Sequence, residues 1–462
     1  MKKSVLCVAS YFPPDASTGT HRTRAVARYL PASGWRPVVV SPEMPVGTEQ
    51  DPSLLQGLPE DLVIYRTPAP SLVSWGSRLR NWFRGLFRRR GVATQSTAVR
   101  PASPESHGSA RGWVDWASWW LQVPDMTVGW LPYGFSAARR AVRRHHCQAI
   151  YSSAPQFTTH LIALLTKRAT GLPWVADFRD PWRSSPFRKI PYRSADRYDA
   201  WLERRVVGTA DWVVCNTHAV QDDFARRYPE LVHKFVTVPN GFDPEDFADL
   251  KPQRPVGTEK LVLTHAGWFY DKRRPHPIFQ ALRLLRDRAS LSSAVCLQLV
   301  GHPRHEGKDL RAIAAEYGVE DLVLVRGEVP HQQALELMRG SDVQVLVGFN
   351  GVGADLQVPA KLFEYLGVGQ PVLALAPRRS AIAEMLGRSG ADGEVCDPED
   401  PEEIASAITR LVRRRNGSPA GARAAGGGPI TQFYRREQVS RIAGLLTGTP
   451  SGRETATQDK SR

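Results

Sequence analysis

The chain has 462 residues, 42% apolar and 23% charged. That is enough for two or three globular domains with full cores, and it excludes a disordered or fibrous chain. A net charge of +15 points to an anionic partner, whether phosphorylated small molecules, a membrane surface or nucleic acid, against the plainer alternative of a solvated basic face.

Met1 to Asp15 carries two lysines, but its apolar run is short, and Pro13-Pro14 follows in place of a cleavage pattern, so a first strand over Val5 to Ala9 is predicted rather than a leader. A loop from Tyr11 to Thr20 leads into a helix expected over His21 to Ser33, and Arg36 to Ser41 forms a second strand. Further on come a strand at Ala149 to Ser152, a helix at Thr159 to Thr170 and a strand at Trp174 to Asp177. A helix at Asp199 to Gly208 and a strand at Trp212 to Asn216 close this half. Continuous apolar strands separated by helices predict parallel sheets covered on both faces.

The pattern restarts after Val238-Pro-Asn-Gly-Phe-Asp243. Strands are expected at Leu261 to His265, Val295 to Val300, Leu322 to Val325, Val343 to Val347 and Pro371 to Ala376, with helices between, including Pro277 to Asp287. The resulting division is an N-terminal Rossmann-like domain at 1–240, a second at 241–430, a crossing helix at 431–448 and a disordered tail at 449–462. Residues 417–429 read as a flexible low-complexity loop. The five cysteines show no Cys-x-x-Cys, and Cys7, Cys215 and Cys296 read as small buried hydrophobes in a reducing compartment. No apolar run is long enough to span a bilayer.

An insertion at 68–124 interrupts the first domain. Trp75, Leu79, Trp82, Phe83 and Leu86 share one helical face, with Arg78, Arg80, Arg84 and Arg88 to Arg90 around it. A basic amphipathic helix with aromatic anchors suits a membrane surface, contacted through residues 74–90. The alternative is a helix packed on its own domain with its arginines in solvent. Nucleic acid is disfavoured because no recognition motif accompanies the charge.

Val358 to Leu375 raises a chemical question, because Lys361 and Glu364 sit in an otherwise apolar segment. A carboxylate on the first turn of a helix can take hydrogen bonds from two neighbouring hydroxyls, such as those of a ribose. A lysine at the helix start adds charge where backbone N–H groups already favour an anion. The pair suits a nucleoside diphosphate, and spacing alone equally allows an i,i+3 surface ion pair. The loop before the first helix carries Gly19 and Thr20, where a missing Cβ would let backbone approach a phosphate or sugar.

The pattern P-x-K-x-F-E-Y-L-x-x-G-x-P from Pro359, preceded by Gly351-Val-Gly353-Ala-Asp-Leu356, resembles the donor-site motif of family-4 glycosyltransferases with the GT-B fold. Four other segments resemble the same family in matching order: 11–35, 171–182, 238–247 and 327–347. The resemblance implies two doubly wound α/β domains facing across a cleft, with a C-terminal helix crossing back. It implies an enzyme that moves a sugar from a nucleotide-diphosphate donor to an acceptor hydroxyl, retaining, without a metal or other cofactor. It places Glu364 on the donor ribose, and Arg273 with Lys272 and Lys361 on the diphosphate. Val329 lies in the loop that reads the base. Gly19 and Thr20 complete the donor contacts, and Arg22 and Ser153 are candidates for acceptor or phosphate contact. Where the family carries a sugar-binding Glu this chain has Leu356, leaving the backbone N–H groups of the Gly353–Gln357 loop to substitute. Histidines expected near Ser153 and Arg179-Asp180 are absent, so Asp180, Arg179 and His160 are the catalytic candidates, with His160 read as a helix-surface residue. The absence of any Asp-x-Asp agrees with neutralisation by arginine and lysine. The expected setting is envelope glycan or glycolipid assembly on a lipid-linked or glycan acceptor, in the cytoplasm and peripheral at the membrane. A GT-B nucleotide-sugar epimerase and a non-catalytic sugar-binding protein are the competing readings.

Overall fold

The computed structural model describes residues 2–44, 48–72, 116, 119–255, 257, 259–288, 294–417 and 429–448. The amphipathic stretch at 74–90, most of the 68–124 insertion, most of the 417–429 loop and the 449–462 tail lie outside the described residues. Two compact units divide the chain. Unit 1 takes 1–214, 230–236 and 442–462, and unit 2 takes 215–229 and 237–441.

In unit 1 the order is β1 (Lys3–Ala9), α1 (Thr20–Tyr29), β2 (Trp35–Pro42), β3 (Val63–Thr67), α2 (Leu131–His145), β4 (Cys147–Ala154), α3 (Thr158–Thr170), β5 (Trp174–Phe178), α4 (Arg193–Thr209) and β6 (Trp212–Cys215). After α5 (His218–Arg227) of unit 2 comes the edge strand β7 (Phe235–Thr237). The sheet runs β3-β2-β1-β4-β5-β6-β7, with β3 through β5 paired in parallel. The strand order reverses between β1 and β4, the place where doubly wound sheets take ligands beyond their carboxyl ends.

Unit 2 continues with β8 (Leu261–Ala266), α6 (His276–Asp287), β9 (Val295–Val300), the short pair β10 (Arg304–His305) and β11 (Lys308–Asp309), α7 (Leu310–Glu316) and β12 (Val323–Gly327). There follow α8 (His331–Arg339), β13 (Val343–Val347), α9 (Lys361–Val368), β14 (Val372–Leu375), α10 (Ala381–Ser389), β15 (Gly393–Cys396), α11 (Pro401–Gly417) and α12 (Arg435–Leu445). Its sheet, β12-β9-β8-β13-β14-β15, is wholly parallel and reverses between β8 and β13. Successive strand residues serve opposite faces. Val345 and Leu373 join one buried cluster, while Leu346 and Val372 join the other. That alternation explains why these strands read as unbroken apolar runs.

Three helix boundaries differ from the sequence reading. The first helix ends at Tyr29, and Leu30–Ser33 tightens to a 3₁₀ turn, because Pro31 has no N–H to continue the ladder. α4 begins at Arg193, well before Asp199, since the polar start of this helix hides its period. The last helix begins at Arg435 after a 3₁₀ turn at Pro429–Phe433, again with proline leading. No disulfide forms, and all five cysteines are free. Among the described residues no helix is long and apolar enough to cross a membrane.

Candidate active site

In unit 1 a buried polar cluster lies at the carboxyl end of the sheet. Asp177 on β5 stands beside Ser153 on β4 in register, and Tyr151 lies two residues earlier on the same face. Arg22, on the first turn of α1, grips Asp177 with both ends of its guanidinium, Nε to Oδ2 at 2.6 Å and Nη2 to Oδ1 at 2.9 Å. The Tyr151 hydroxyl donates to Oδ2, and the Ser153 hydroxyl donates to it at 3.4 Å. Burial by itself would lower the Arg22 pKa, but the Asp177 carboxylate more than offsets this and raises it, so the guanidinium stays charged. Burial raises the Tyr151 pKa well above the usual phenol value, with Asp177 adding to it, so that hydroxyl stays a donor.

Arg179, just after β5, serves the backbone around it. Its Nε donates to Ala154 O at 2.8 Å, Nη2 to Pro155 O at 3.2 Å and Nη1 to Gly19 O. It thus ties the loop after β1 to the loop after β4. Burial lowers its pKa, and the neighbouring Asp180 and Asp177 carboxylates oppose that. Asp180 itself is half-buried. Gly19 has no room for a side chain: an added Cβ would sit 2.6 Å from the Tyr11 ring and 3.0 Å from Arg179 Nη2. Thr20 is fully buried at the start of α1.

His160 is not a surface residue. It is fully buried on α3, with its ring 4.4 Å from that of Phe178 and its Nδ1 2.8 Å from Ser152 Oγ, which also accepts from Trp174 Nε1 at 2.8 Å. Burial pulls its pKa down to about 3, with Arg179 adding to the effect, so it is neutral. The apolar stretch Leu161 to Leu164 pulls the helix inward on a wider face than the sequence period suggested.

In unit 2 the loop after β8 meets the loop after β13, across the reversal of strand order. Lys272 Nζ lies 5.4 Å from the centre of the Phe349 ring and the Arg273 guanidinium 5.6 Å from it. Arg273 is buried, lies 4.9 Å from the Tyr270 ring centre and donates to the Tyr270 hydroxyl. Trp268 and Tyr270 are exposed, and Trp268 packs 4.8 Å from His302, whose Nδ1 lies 3.0 Å from Glu328.

Lys361 opens α9, and its Nζ donates to Glu364 Oε2 at 2.7 Å. A partner that the sequence did not suggest is His331 at the start of α8, with Nε2 3.4 Å from Glu364 Oε1. The Glu364 side chain is only 19% exposed, so this is no loose surface pair. Burial opposes its ionisation, but Lys361 and His331 overcome that and hold the carboxyl well below the usual carboxylate range. Val329, two residues before His331, is half-buried against one of the two cores of unit 2. Gly353 adopts φ 76°, and the following residues close a 3₁₀ turn in which Ala354 N donates to Gly351 O at 3.1 Å and Leu356 N to Gly353 O at 3.3 Å. Those two N–H groups are therefore spent within the loop, and Leu356 is buried. Of the Gly353–Gln357 loop, these two N–H groups are thus not free to substitute for the missing Glu.

The candidates thus gather into separate groups. Arg22 and Ser153 meet through Asp177, Arg179 meets Gly19, Lys272 and Arg273 share Phe349, and Lys361 meets Glu364. Asp177, Tyr151 and His331 were missed as individual residues. Asp177 lies within the segment 171–182 that carries the family resemblance, but reads there as strand interior. Among the described residues no group of three or more His, Cys, Asp or Glu could hold a metal ion.

Residues 88–246 match the Glycosyltransferase Family 4 model, and residues 260–414 match Glycosyl transferases group 1. D-inositol 3-phosphate glycosyltransferase of Geodermatophilus obscurus is 28% identical over 233 residues, 48% of this chain and 50% of that protein. The namesake from Streptosporangium roseum is 26% identical over 265 residues, 53% and 57% of the two chains. The chain spans about half the length of the curated relatives it matches. Anabaena HepE, solved with UDP and glucose, shares the fold at TM-score 0.60 and 15% identity over 96% of this chain and 99% of its own. Sucrose-phosphate synthase of Thermosynechococcus elongatus does so at 0.59 and 14%, over 96% and 98%. With a Rossmann-like sheet in each unit and a glycosyltransferase model matching each half, the chain belongs to the glycosyltransferases of GT-B fold.

Proposed function

We propose that the protein transfers a sugar from a nucleoside-diphosphate donor to an acceptor hydroxyl, with retention and without a metal ion. The observation that carries this reading is Glu364, a largely buried carboxylate kept ionised by Lys361 and His331 at the first turn of α9. A charged acceptor so placed can take hydrogen bonds from both hydroxyls of a ribose. Arg273 and Lys272, beyond the β8/β13 reversal, supply fixed positive charge for the diphosphate as it leaves. In that step the bond between the anomeric carbon and the diphosphate oxygen breaks, and the acceptor oxygen bonds to the same face of that carbon. The acceptor proton passes to the leaving phosphate. Asp177, locked to Arg22, Tyr151 and Ser153, keeps the carboxyl end of the unit 1 sheet rigid, and Asp180 orients the acceptor hydroxyl. His160, neutral and enclosed, positions β4 through Ser152 rather than moving a proton.

The relatives support the substrate class. HepE was solved with UDP and glucose, and with UDP-glucose. The curated relatives carry the name of an inositol phosphate glycosyltransferase. The acceptor proposed here is a lipid-linked or glycan hydroxyl in envelope assembly, reached from the cytoplasmic membrane face through residues 74–90. Nucleic acid is not a partner in this reading.

The test is a panel of UDP-, GDP-, ADP- and dTDP-sugars incubated with the purified protein, followed by nucleotide release with and without a chelator. Release of one nucleoside diphosphate, unaltered by chelation, is expected. Donor binding without turnover on any acceptor would support a non-catalytic sugar-binding protein. Loss of turnover with chelator would overturn the metal-free mechanism.

A further inference from the structure

Among the described residues of unit 1, most of the exposed large apolar side chains fall between Trp116 and Trp201. Four rings there form one continuous ladder. Trp116 lies 5.9 Å from Trp120, Trp120 5.2 Å from Tyr198, and Tyr198 stacks 5.7 Å from Trp201. The Arg205 guanidinium caps the ladder 5.2 Å from the Trp201 ring, and Trp116 Nε1 donates to Ser194 Oγ at 3.2 Å at its other end. Trp116, Tyr198 and Trp201 are 44%, 37% and 48% exposed, far more than aromatic rings in a core.

The charge on α4 is sorted as sharply as its apolar surface. Arg193, Arg197, Arg204 and Arg205 share the exposed side with the rings. The acids of the helix turn away from it. Asp199 is buried against Trp182 Nε1 at 3.0 Å and Arg188 at 2.6 Å, Glu203 is buried and accepts from Arg183 N at 3.0 Å, and Asp196 pairs with Arg183 at 2.7 Å. Of the exposed arginines, Arg204 meets a carboxylate, Glu230, at 3.4 Å, where both are well exposed. Ala195, Leu202, Val206 and Val207 pack inward, so the helix is fixed to its unit by the opposite face.

We infer that the outer face of α4 with the Trp116–Trp201 ladder is a docking surface for an anionic phospholipid bilayer. Tyr and Trp rings settle at the headgroup level, with apolar bodies toward the acyl chains and polar edges in water. Arginines around them meet lipid phosphates, and their stems cover apolar surface. A protein partner would need shaped pockets and both signs of charge in balance, whereas this face offers a row of exposed rings among mostly basic side chains, with Glu230 against Arg204. The surface lies outside residues 74–90 and does not depend on the donor chemistry.

The experiment is flotation of the full chain with vesicles of phosphatidylcholine, with and without phosphatidylglycerol. Binding to the anionic vesicles alone is expected. The variant Arg197→Glu/Arg204→Glu/Arg205→Glu should lower partitioning at least roughly tenfold, since each basic residue near such a surface multiplies binding several-fold. Tyr198→Ser/Trp201→Ser should lower it about as much at unchanged melting temperature. Arg84→Glu/Arg88→Glu/Arg89→Glu should leave a remainder that the α4 variants remove. Trp201→Phe guards against a folding failure, because brominated lipid should quench less fluorescence in it than in the parent. Parent-like binding by both α4 variants, equal quenching in Trp201→Phe, or self-association, protein or RNA binding through this face without vesicle binding would each overturn the inference.

Discussion

Arg22 and Asp177 form a two-pronged ion pair inside unit 1, with the arginine side chain 8% exposed and the aspartate fully buried. Both charges have left water, so neither tolerates the loss of the other. Asp177→Asn or Arg22→Ala should each cost about 3–5 kcal/mol of unfolding free energy, read from urea titration. Arg22→Met/Asp177→Leu should lose less than the two single losses together, because no charge is then left unpaired. Additive losses would mean that the two charges are not coupled and that Tyr151 and Ser153 carry the aspartate.

Much of the fold was legible in the chain, because strands buried on both faces read as apolar runs and the loops between them carry glycine and proline. The two Rossmann-like sheets follow from that pattern, but their strand order does not, and the short edge strands β3, β7 and β15 escaped it. The site was legible where one short helix holds the chemistry: Lys361 and Glu364 are three residues apart, and their contact is local. It was illegible where partners come from distant elements. Asp177 is 155 positions from Arg22, and its one acidic letter inside an apolar strand looks like an interruption. His331 is 33 positions from Glu364, so nothing in the spacing announces it. His160 misled for a related reason. Thr158 to Thr166 is buried nearly all round, and polar letters in that stretch imitate a solvent face.

Gly19 tests whether the first loop is small for a ligand or for packing. A Cβ there would approach the Tyr11 ring to 2.6 and 2.9 Å, with Arg179 at 3.0 Å. Gly19→Ala should therefore destabilise unit 1 by about 1–3 kcal/mol through overpacking, even without substrate. The same change in a Tyr11→Ala background should cost clearly less, as measured by a double-mutant cycle in urea. A stable Gly19→Ala protein that has lost only donor or acceptor affinity would show that the glycine is there for the ligand.

Two buried histidines set a direction for stability against pH. His160 in unit 1 has its pKa lowered to about 3 and His265 in unit 2 to about 4, both chiefly by burial. Each is kept neutral in the folded state and takes up a proton near pH 6.5 once unfolded. The unfolded chain therefore binds more protons below that value, and stability falls as pH drops through the window between 6.5 and 4. Each histidine should contribute about 1.4 kcal/mol of loss per pH unit there, so about 2 kcal/mol by roughly pH 5. Urea midpoints measured across that range should fall, and His160→Gln should flatten the slope. A slope unchanged by that substitution would place the proton uptake elsewhere.

Glu364 separates donor recognition from stability. Lys361 and His331 hold the carboxyl well below the usual carboxylate range, so its contribution to stability is complete above pH 4.5 and fades as the pH falls below that. Glu364→Gln preserves the size of the side chain and one acceptor oxygen but removes the charge that two hydroxyls would share. A hydrogen bond to a charged group contributes about 1.5–3 kcal/mol, so the dissociation constant of the nucleotide sugar should rise roughly ten- to a hundredfold by calorimetry. On the proposed reading, which gives Arg273 the phosphates, Arg273→Ala should weaken the nucleoside diphosphate far more than the nucleoside. Glu364→Gln should weaken both alike, since the ribose is common to them. If Glu364→Gln instead discriminates between nucleoside and nucleoside diphosphate, the acid serves the phosphate end through Lys361, and the ribose is held by other groups.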